Sequence, residues 1–483
     1  MPTPTDDSAE SDLLDPLIWK ISSVAVLGSF ISQLDATVVN VSLSSLAATL
    51  HSSLSTIQWV TSGYLLALAL MLPLSGWLVD RLGAKALYLW CLSAFTISSA
   101  FCGLAWSANS LIGFRVLQGM SGGLLAPMAQ MMMARAAGKR MASVMGFAAM
   151  PILIAPILGP VIAGAILQFA SWRWLFLVNL PIGVLAIFLA FLFLPNDRAE
   201  TKPRDLDLLG LALLSPGLVL FLYGSDHILD RSGFLFLAFS IVLFIGFLKW
   251  ATKKGDRALL DLRLFKGKAF SAAAITQFMA NGTSFAGQML IPIFLIRVGG
   301  RSPSATGLLL APLGLGMMCG YPFVGTWVKR FGNRKVSAGG ALLALVGTLP
   351  FVYMACHGLA IAILACALFI RGVGLSSVGV PSISAAYSSV KKQDLPMATT
   401  TLNIVMRIGG PTLTTVCATF LGWRLGTAHT GHAAQGAFTA AFLLLCAFHA
   451  FLFAAAMRLP HSAARRNEQA PDTALRALES VSE

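Results

Sequence analysis

The chain has 483 residues, of which 57% are hydrophobic and 11% are charged, and its mean hydropathy is +0.78. This composition lies far outside that of water-soluble domains and excludes an ordinary soluble enzyme. The net charge of +14 would suggest nucleic acid in a soluble protein. In so apolar a chain, Lys and Arg are better assigned to cytoplasmic loops, so we expect no nucleic-acid partner. Because apolar segments of about 20 residues recur, we predict an all-α polytopic membrane protein.

Apolar runs separated by polar breaks predict fourteen membrane-spanning helices. They lie near residues 18–45, 54–78, 85–106, 108–133, 140–168, 172–195, 206–226, 232–250, 268–297, 303–328, 335–356, 358–388, 396–423 and 434–458. Of the 34 basic residues, 26 fall in loops on the side of the N terminus and five in the opposite loops. Since cytoplasmic loops retain Lys and Arg, both termini are predicted to be cytoplasmic.

An internal repeat divides the chain into two halves. The segment 76–85 after the second span is similar to 325–334 after the tenth, and 115–127 is similar to 371–381. Two six-helix halves with two extra helices between them explain this pattern. The predicted divisions are a cytoplasmic N-terminal tail over 1–17, the first half over 18–195, two additional helices and a basic cytoplasmic loop over 196–267, the second half over 268–458, and a cytoplasmic C-terminal tail over 459–483.

Asp35 is the only carboxylate deep within any predicted span. An ionised side chain at that depth costs about 3 kcal/mol, so it is a functional-site hypothesis by default. A proton-coupled carrier needs a group that loads and unloads a proton, and Arg115 in the fourth span is the candidate cation beside it. The alternatives are that Asp35 only ties helices together and that Arg115 extends to the membrane surface.

Other polar and adaptable side chains within the spans are candidate substrate contacts. Mixtures of amides, aromatic rings and Met suit loosely specified binding. A charge about ten residues into its span, such as Arg407, should face a cavity or an acceptor. Ordinary helix packing is the alternative for each of these residues. The candidates are Gln33, Asn40, Gln118, Gln277, Asn281, Phe285, Gln288, Asn403 and Arg407.

Two further motifs are candidate gates. The fifth span combines several prolines with small residues at four-residue spacing, which bends a helix and lets it pack closely. The charged turn after the second span can latch the cytoplasmic side through ion pairs, with Arg135 as a partner for Asp80. A turn that sets only the topology is the alternative. The candidate gating residues are Gly76, Asp80, Arg81, Gly83, Lys85, Arg135, Gly159, Pro160, Gly164 and Arg371.

Several of these segments resemble the 14-spanner drug:proton antiporters of the major facilitator superfamily, the EmrB/QacA type. The resemblance covers about residues 20–460 and rests on segments 34–41, 76–85, 115–123, 155–164 and 171–183. It implies that Asp35 exchanges protons, that Arg115 assists it, and that the fifth helix enforces exchange. The chain departs from the pattern at Ala155 and Ala163, where Gly is common. It also lacks the extra carboxylates that some relatives use for dicationic substrates.

The resulting hypothesis is a proton-coupled multidrug exporter that moves lipophilic or cationic small molecules outward across the bacterial inner membrane. The chain shows no P-loop and no metal-ligand spacing of its cysteines, so we expect no cofactor and no metal. An exporter of one metabolite or lipid is the alternative with the same fold, and a membrane sensor is the alternative of another class. We expect a monomer whose partners are substrates, protons and the lipid bilayer; a periplasmic adaptor protein is left open.

Overall fold

The computed structural model describes residues 16–138, 141–197, 205–228, 230–426 and 433–460, which form sixteen α-helices and no β-strand. The predicted tails 1–17 and 459–483 lie almost wholly outside the described residues. The helices are α1 (Pro16–Thr49), α2 (Leu54–Met71), α3 (Ser75–Leu82), α4 (Ala84–Gly103), α5 (Ala108–Ala137), α6 (Met141–Phe169), α7 (Trp174–Leu177), α8 (Asn179–Phe193), α9 (Leu208–Asp226), α10 (Arg231–Lys254), α11 (Lys268–Arg297), α12 (Pro303–Leu309), α13 (Ala311–His357), α14 (Ile361–Ser388), α15 (Leu395–Gly426) and α16 (Ala433–Ala456). Short 3₁₀ segments cover Leu72–Leu74, Gly255–Arg257, Leu262–Lys266 and Lys392–Asp394.

Helix covers every predicted span, and the all-helical polytopic class is confirmed. Within the described ranges, eleven helical segments are long and apolar enough to cross a membrane. One of them, Ala305–His357, has 53 residues and is interrupted at Gly332. At 1.5 Å per residue, a hydrocarbon core of about 30 Å needs only about 20 residues, so this segment is too long for a single crossing. The exact count of fourteen spans stays a prediction.

Two glycines end the paired repeat segments in the same unusual backbone conformation. Gly83, between α3 and α4, has φ 83° and ψ 156°. Gly332, at the matching position of the second repeat, has φ 80° and ψ 162°. Only glycine adopts this region readily, because a Cβ would clash with the backbone. The two repeats therefore turn the chain in the same way at the cytoplasmic surface.

The helices pack as two groups, α1–α8 and α11–α16, which meet at their cytoplasmic ends. One buried apolar cluster crosses both groups there and joins Met131 of α5 to Leu402 of α15. Towards the outer side the core separates into one cluster around Val38 in the first group and another around Phe294 in the second. Among the described residues, the apolar cluster that joins the two groups lies at their cytoplasmic ends, so this conformation is closed on that side and divided on the outer side.

Helices α9 and α10 pack against each other and lie along the seam between the two groups. Ser215 of α9 donates from Oγ to the carbonyl of Leu70 on α2 (2.9 Å), and Trp59 of α2 stacks on Tyr223 with ring centroids 6.0 Å apart. Helix α9 also contacts α15 of the second group. The hairpin therefore touches both groups rather than standing apart in the lipid.

Asp207 fastens the cytoplasmic base of this hairpin. Its buried carboxylate accepts hydrogen bonds from Trp250 Nε1 (2.9 Å), Lys254 Nζ (2.9 Å) and the backbone N–H groups of Gly210 (3.1 Å) and Leu259 (2.9 Å). Burial raises the pKa of Asp207, but these donors lower it by more, so the net pKa lies below the ordinary value.

We expect Asp207→Asn to destabilise the hairpin base by about 1–3 kcal/mol. Lys254, Trp250 and the N–H of Leu259 would all lose a charged hydrogen-bond acceptor. The pKa of Asp207 is lower in the folded protein than in the unfolded chain. Its contribution to stability is therefore complete above the unfolded-state pKa and is lost as the pH falls through the folded-state pKa. The difference between wild type and variant should therefore shrink in acid below about pH 3.9. Thermal unfolding in detergent at neutral and acidic pH measures it. Asp261→Asn, which disturbs an exposed pair with Arg263, should change stability by less than about 1 kcal/mol.

Candidate functional site

Three helices converge on the carboxylate of Asp35, which lies near the middle of α1 and is 1% exposed. Arg115 of α5 forms an ion pair with it through Nη1 and Oδ2. Gln118 Nε2 donates to Asp35 Oδ1 (3.2 Å), and Asn179 Nδ2 of α8 donates to the same oxygen (2.8 Å). Both carboxylate oxygens thus accept hydrogen bonds, which satisfies a buried charge that would otherwise be very costly.

Arg115 has contacts that do not depend on Asp35. Its Nε donates to the carbonyl of Val60 (3.1 Å), and its Nη1 also donates to Gln118 Oε1 (2.8 Å). The guanidinium lies 4.1 Å from the ring centroid of Tyr64, a cation–π arrangement. Arg115 is fully buried and does not extend to the membrane surface. A change of charge on Asp35 would therefore leave this cation in place.

Sequence reasoning missed two side chains of this cluster. Asn179 is buried and links Asp35 to Ser99, whose Oγ accepts from Nδ2 at 3.1 Å. The hydroxyl of Tyr64 lies 3.0 Å from Ser32 Oγ on α1. A lone amide in an apolar run is the signal that could have found Asn179. Tyr64 carries no such signal, because an aromatic ring in a helix is usually core.

The candidate substrate contacts do not form a single group. Gln118 belongs to the Asp35 cluster, and buried Gln277 donates from Nε2 to the carbonyl of Gly379 on α14 (2.7 Å). Asn403 of α15 donates to Gln130 Oε1 of α5 (2.9 Å) and so joins the two groups of helices. These amides hold helices together in the present conformation; Gln118 and Gln277 are buried, and Asn403 is partly exposed.

The remaining candidates divide by exposure. The side chain of Asn40 lies outside the described part of the chain. Arg407 is partly exposed near the middle of α15, close enough to Tyr64 of α2 to interact with it electrostatically. Its guanidinium has no hydrogen bond or ion pair with any described residue. The candidates that reach open space are exposed Gln33, Phe285 and Gln288 and partly exposed Asn281 and Arg407.

The cytoplasmic closure is built from the repeat segments. A Cβ on Gly76 of α3 would lie 3.0 Å from Thr400 Oγ1 of α15, and the neighbouring Ser75 Oγ bonds Thr400 Oγ1 at 2.7 Å. Gly325 of α13, its counterpart in the second half, packs on α6, where a Cβ would lie 2.5 Å from Ser143 Cα. Each repeat therefore contributes a glycine at which the backbone meets the opposite group closely.

The charged turn makes a different ion pair from the one expected. Arg135 Nη1 pairs with Asp197 Oδ2 at the end of α8 (3.1 Å), and the N–H of Ala84 donates to the same oxygen (2.8 Å). Lys85 Nζ donates to two carbonyls of the same helix end (2.9 and 2.7 Å). The N–H groups of Ala84 and Lys85 hold the Asp197 carboxylate at the start of α4, within reach of Arg135. Asp80 lines the same cytoplasmic cavity of about 860 Å³ as Arg135 and Asp197.

The other gating candidates have separate environments. Arg81 lies over the Trp77 ring at 5.3 Å from its centroid. On α6, Gly159 meets α1 so closely that a Cβ would overlap Thr37 Oγ1, and Ala155 and Ala163 beside it are fully buried. Gly164 has nothing within 4 Å of its Cβ position, and the side chain of Pro160 lies outside the described residues.

Arg371 of α14 is the sequence counterpart of Arg115 but has no carboxylate partner among the described residues. Its Nη2 donates to the carbonyl of Thr283 on α11 (2.9 Å), and its Nε has no partner in the described ranges. The guanidinium fills the space beside Gly287, where any Cβ would overlap it. Among the described residues, the second half therefore has the cation without a carboxylate partner, whereas the first half has the ion pair.

Comparison with known proteins identifies the family. The model described as Major Facilitator Superfamily matches residues 25–411 and 273–481. The chain is 32% identical over 421 residues to "Multidrug resistance protein B homolog" of Mycobacterium tuberculosis (strain ATCC 25618 / H37Rv), covering 86% of this chain and 78% of the relative. It is 35% identical over 353 residues to "Putative multidrug resistance protein MdtD" of Salmonella heidelberg (strain SL476), covering 70% and 73%.

Solved structures agree on the fold. The human organic anion transporter MFSD10 superposes with a TM-score of 0.63 at 16% identity, over 92% of this chain and 100% of that chain. The proton:xylose symporter XylE gives 0.60 at 14% identity, over 89% and 94%. The protein is a multi-pass protein of the inner membrane, as the sequence predicts. The family match over most of the chain and the two relatives above 30% identity show that it belongs to the major facilitator superfamily.

Proposed function

We propose that this transporter is a proton-coupled multidrug exporter, an antiporter that exchanges protons for lipophilic small molecules. The observation that carries the proposal is the Asp35 cluster, a buried carboxylate at the middle of a spanning helix with a cation and two amides around it. Both relatives are named for multidrug resistance. Because both groups of helices come from one chain, a monomer should suffice. A periplasmic adaptor is compatible with this proposal but not required by it.

The proposed cycle begins in the conformation described here, which is divided on the outer side. A proton from that side neutralises Asp35 and removes its Coulomb attraction for Arg115. The guanidinium keeps Val60, Gln118 and the Tyr64 ring as partners. The loss of one charged contact between α1 and α5 would then favour the alternative packing, in which the cytoplasmic side opens.

Asn179 is the group suited to follow the charge on Asp35. Its Nδ2 donates to the carboxylate, whereas its buried Oδ1 has no donor among the described residues. After a half-turn of the amide, Oδ1 would accept a hydrogen bond from a protonated Asp35. The same side chain therefore fits both protonation states. When the cytoplasmic side is open, release of the proton and entry of substrate complete the exchange.

Coupling requires that substrate and proton each weaken the binding of the other. By linkage, a substrate that binds best when Asp35 is charged must expel the proton to the same extent that the proton expels the substrate. The inward proton gradient then drives substrate outward. We expect the purified protein in liposomes to move a bound dye only when a pH gradient is imposed, and an ionophore that collapses the gradient should stop the flux. Flux that is unchanged by the ionophore would contradict proton coupling.

A further inference from the structure

Arg407 is a cation deep in the membrane that has no hydrogen bond or ion pair with any residue the structure describes. It lies about 18 Å from the cytoplasmic end of α15 and about 28 Å from the other end, at 1.5 Å per residue. Its side chain is partly exposed and makes no hydrogen bond or ion pair with a described residue. A guanidinium at this depth is normally paired, because a bare charge there is costly.

The sequence offers Arg407 no carboxylate within its own half. Over residues 268–458 the chain has one acidic residue, Asp394. It lies in the 3₁₀ turn before α15, at the cytoplasmic surface. In the first half, the one deep carboxylate, Asp35, is already paired with Arg115. The middle of the membrane region therefore carries an excess of positive charge.

The surroundings of Arg407 combine this charge with hydrogen-bonding and aromatic groups. It lies close enough to Tyr64 of the first group of helices to interact with it electrostatically, which places it near the seam between the two groups. One turn earlier on α15 stands Asn403, which is partly exposed. One turn later, Gly410 lies beside the ring of Phe285, which is 52% exposed. A planar cation about one helical turn from an exposed ring suits a ligand that has both an acid group and an aromatic part.

We infer that the preferred substrates are amphipathic anions whose acid group pairs with Arg407 and whose apolar part lies against Phe285. This inference rests on the proposed export function and narrows it. Of the two substrate types that the sequence suggests, lipophilic or cationic, permanent cations are disfavoured, because Arg407 repels them and no free deep carboxylate attracts them. The guanidinium would receive from the substrate the negative charge that none of the described residues supplies.

The charge balance of the exchange follows from this. Export of a monovalent anion for one proton moves two positive charges inward per cycle, so the membrane potential drives it together with the pH gradient. Export of a monovalent cation for one proton moves no net charge, so the membrane potential has no effect. The response of flux to an imposed potential therefore separates the two substrate classes without knowledge of the natural substrate.

The test compares two xanthene dyes with similar ring systems and opposite charge, anionic sulforhodamine B and cationic rhodamine 6G. Fluorescence anisotropy with the purified full-length protein measures binding. Wild type should bind sulforhodamine B more tightly than rhodamine 6G. Arg407→Gln should weaken the binding of sulforhodamine B about tenfold or more, as expected for loss of a hydrogen bond to a charged group. Arg407→Lys keeps the charge and should retain part of the affinity. Arg301→Gln removes an exposed arginine at the outer surface and should leave the affinity for both dyes unchanged.

Flux in liposomes with a potassium diffusion potential completes the test and separates the two proposals. Efflux of sulforhodamine B from the liposomes that rises with an inside-negative potential supports the inference. Tighter wild-type binding of rhodamine 6G, binding of neither dye, or anion binding unchanged in Arg407→Gln would overturn it. Arg407-dependent anion binding without gradient-driven flux of either dye would overturn the export function and leave the charge preference in place.

Discussion

Asp35→Asn should reduce gradient-driven export at least about 100-fold, the order of contribution expected from a positioned proton-transfer group. Asn has nearly the same shape as Asp but neither binds nor releases a proton at physiological pH. The variant also leaves Arg115 buried without its counter-charge. The contacts of Arg115 with Val60 O, Gln118 and the Tyr64 ring limit the resulting loss of stability. Flux of dye into liposomes under a pH gradient measures the effect.

Substrate exchange separates loss of coupling from loss of folding. In liposomes loaded with unlabelled substrate and without a pH gradient, Asp35→Asn should still exchange internal for external substrate, because that process requires no proton. Asp261→Asn, an exposed replacement of the same type, should export like wild type. Gradient-driven export by Asp35→Asn at the wild-type rate would show that the proton is carried by another group.

Gly325→Val should have the second large effect, because it prevents closure of the cytoplasmic side. The Cβ alone would lie 2.5 Å from Ser143 Cα, a backbone atom that cannot rotate away. Overpacking of this kind costs about 1–3 kcal/mol, which shifts the population from closed towards open by about fivefold to 150-fold. Gly76→Val at the equivalent place should act in the same direction but less strongly, since its Cβ position lies 3.0 Å from Thr400 Oγ1 and 3.2 Å from the carbonyl oxygen of Pro396, both farther than the contact at Gly325.

Labelling of an introduced cysteine reports this closure. Ser75→Cys, in a background without the native cysteines, places a thiol where Ser75 now bonds Thr400. A membrane-impermeant thiol reagent on the cytoplasmic side should label it at least about fivefold faster when Gly325→Val is present. Gly339→Val is the matched control on the same helix, because nothing lies within 4 Å of its Cβ position. Equal labelling in all three proteins would contradict the role of Gly325 in closure.

The sequence predicts the helices and their repeat well because both depend on local patterns. Apolar length locates the helical segments, and the repeated Gly–Arg–Gly spacing locates Gly83 and Gly332, whose backbone angles agree within a few degrees. Asp35 and Arg115 could be paired from sequence because few charges lie deep in the spans. With one deep carboxylate and three deep cations, the number of possible pairs is small.

The partners of the neutral groups depend on how distant helices align, and local patterns do not contain that information. Gln118 appears in the sequence as a substrate contact, but it bonds Asp35 because α5 lies against α1. Asn403 similarly bonds Gln130 only because the two groups of helices close at the cytoplasmic side. Arg135 pairs with Asp197, a residue outside every candidate motif. Each of these contacts joins residues more than 60 positions apart in the chain.

Proton release on substrate binding tests most directly the claim that Asp35 carries the coupled proton. Purified wild-type protein in weakly buffered detergent solution is mixed with a dye that it binds, at several pH values from mildly acidic to neutral. The change in bulk pH on mixing is recorded. We predict that the wild type releases protons over part of this range, because substrate and proton exclude each other, and that Asp35→Asn binds the dye without releasing any. Equal proton release by the two proteins would contradict the account.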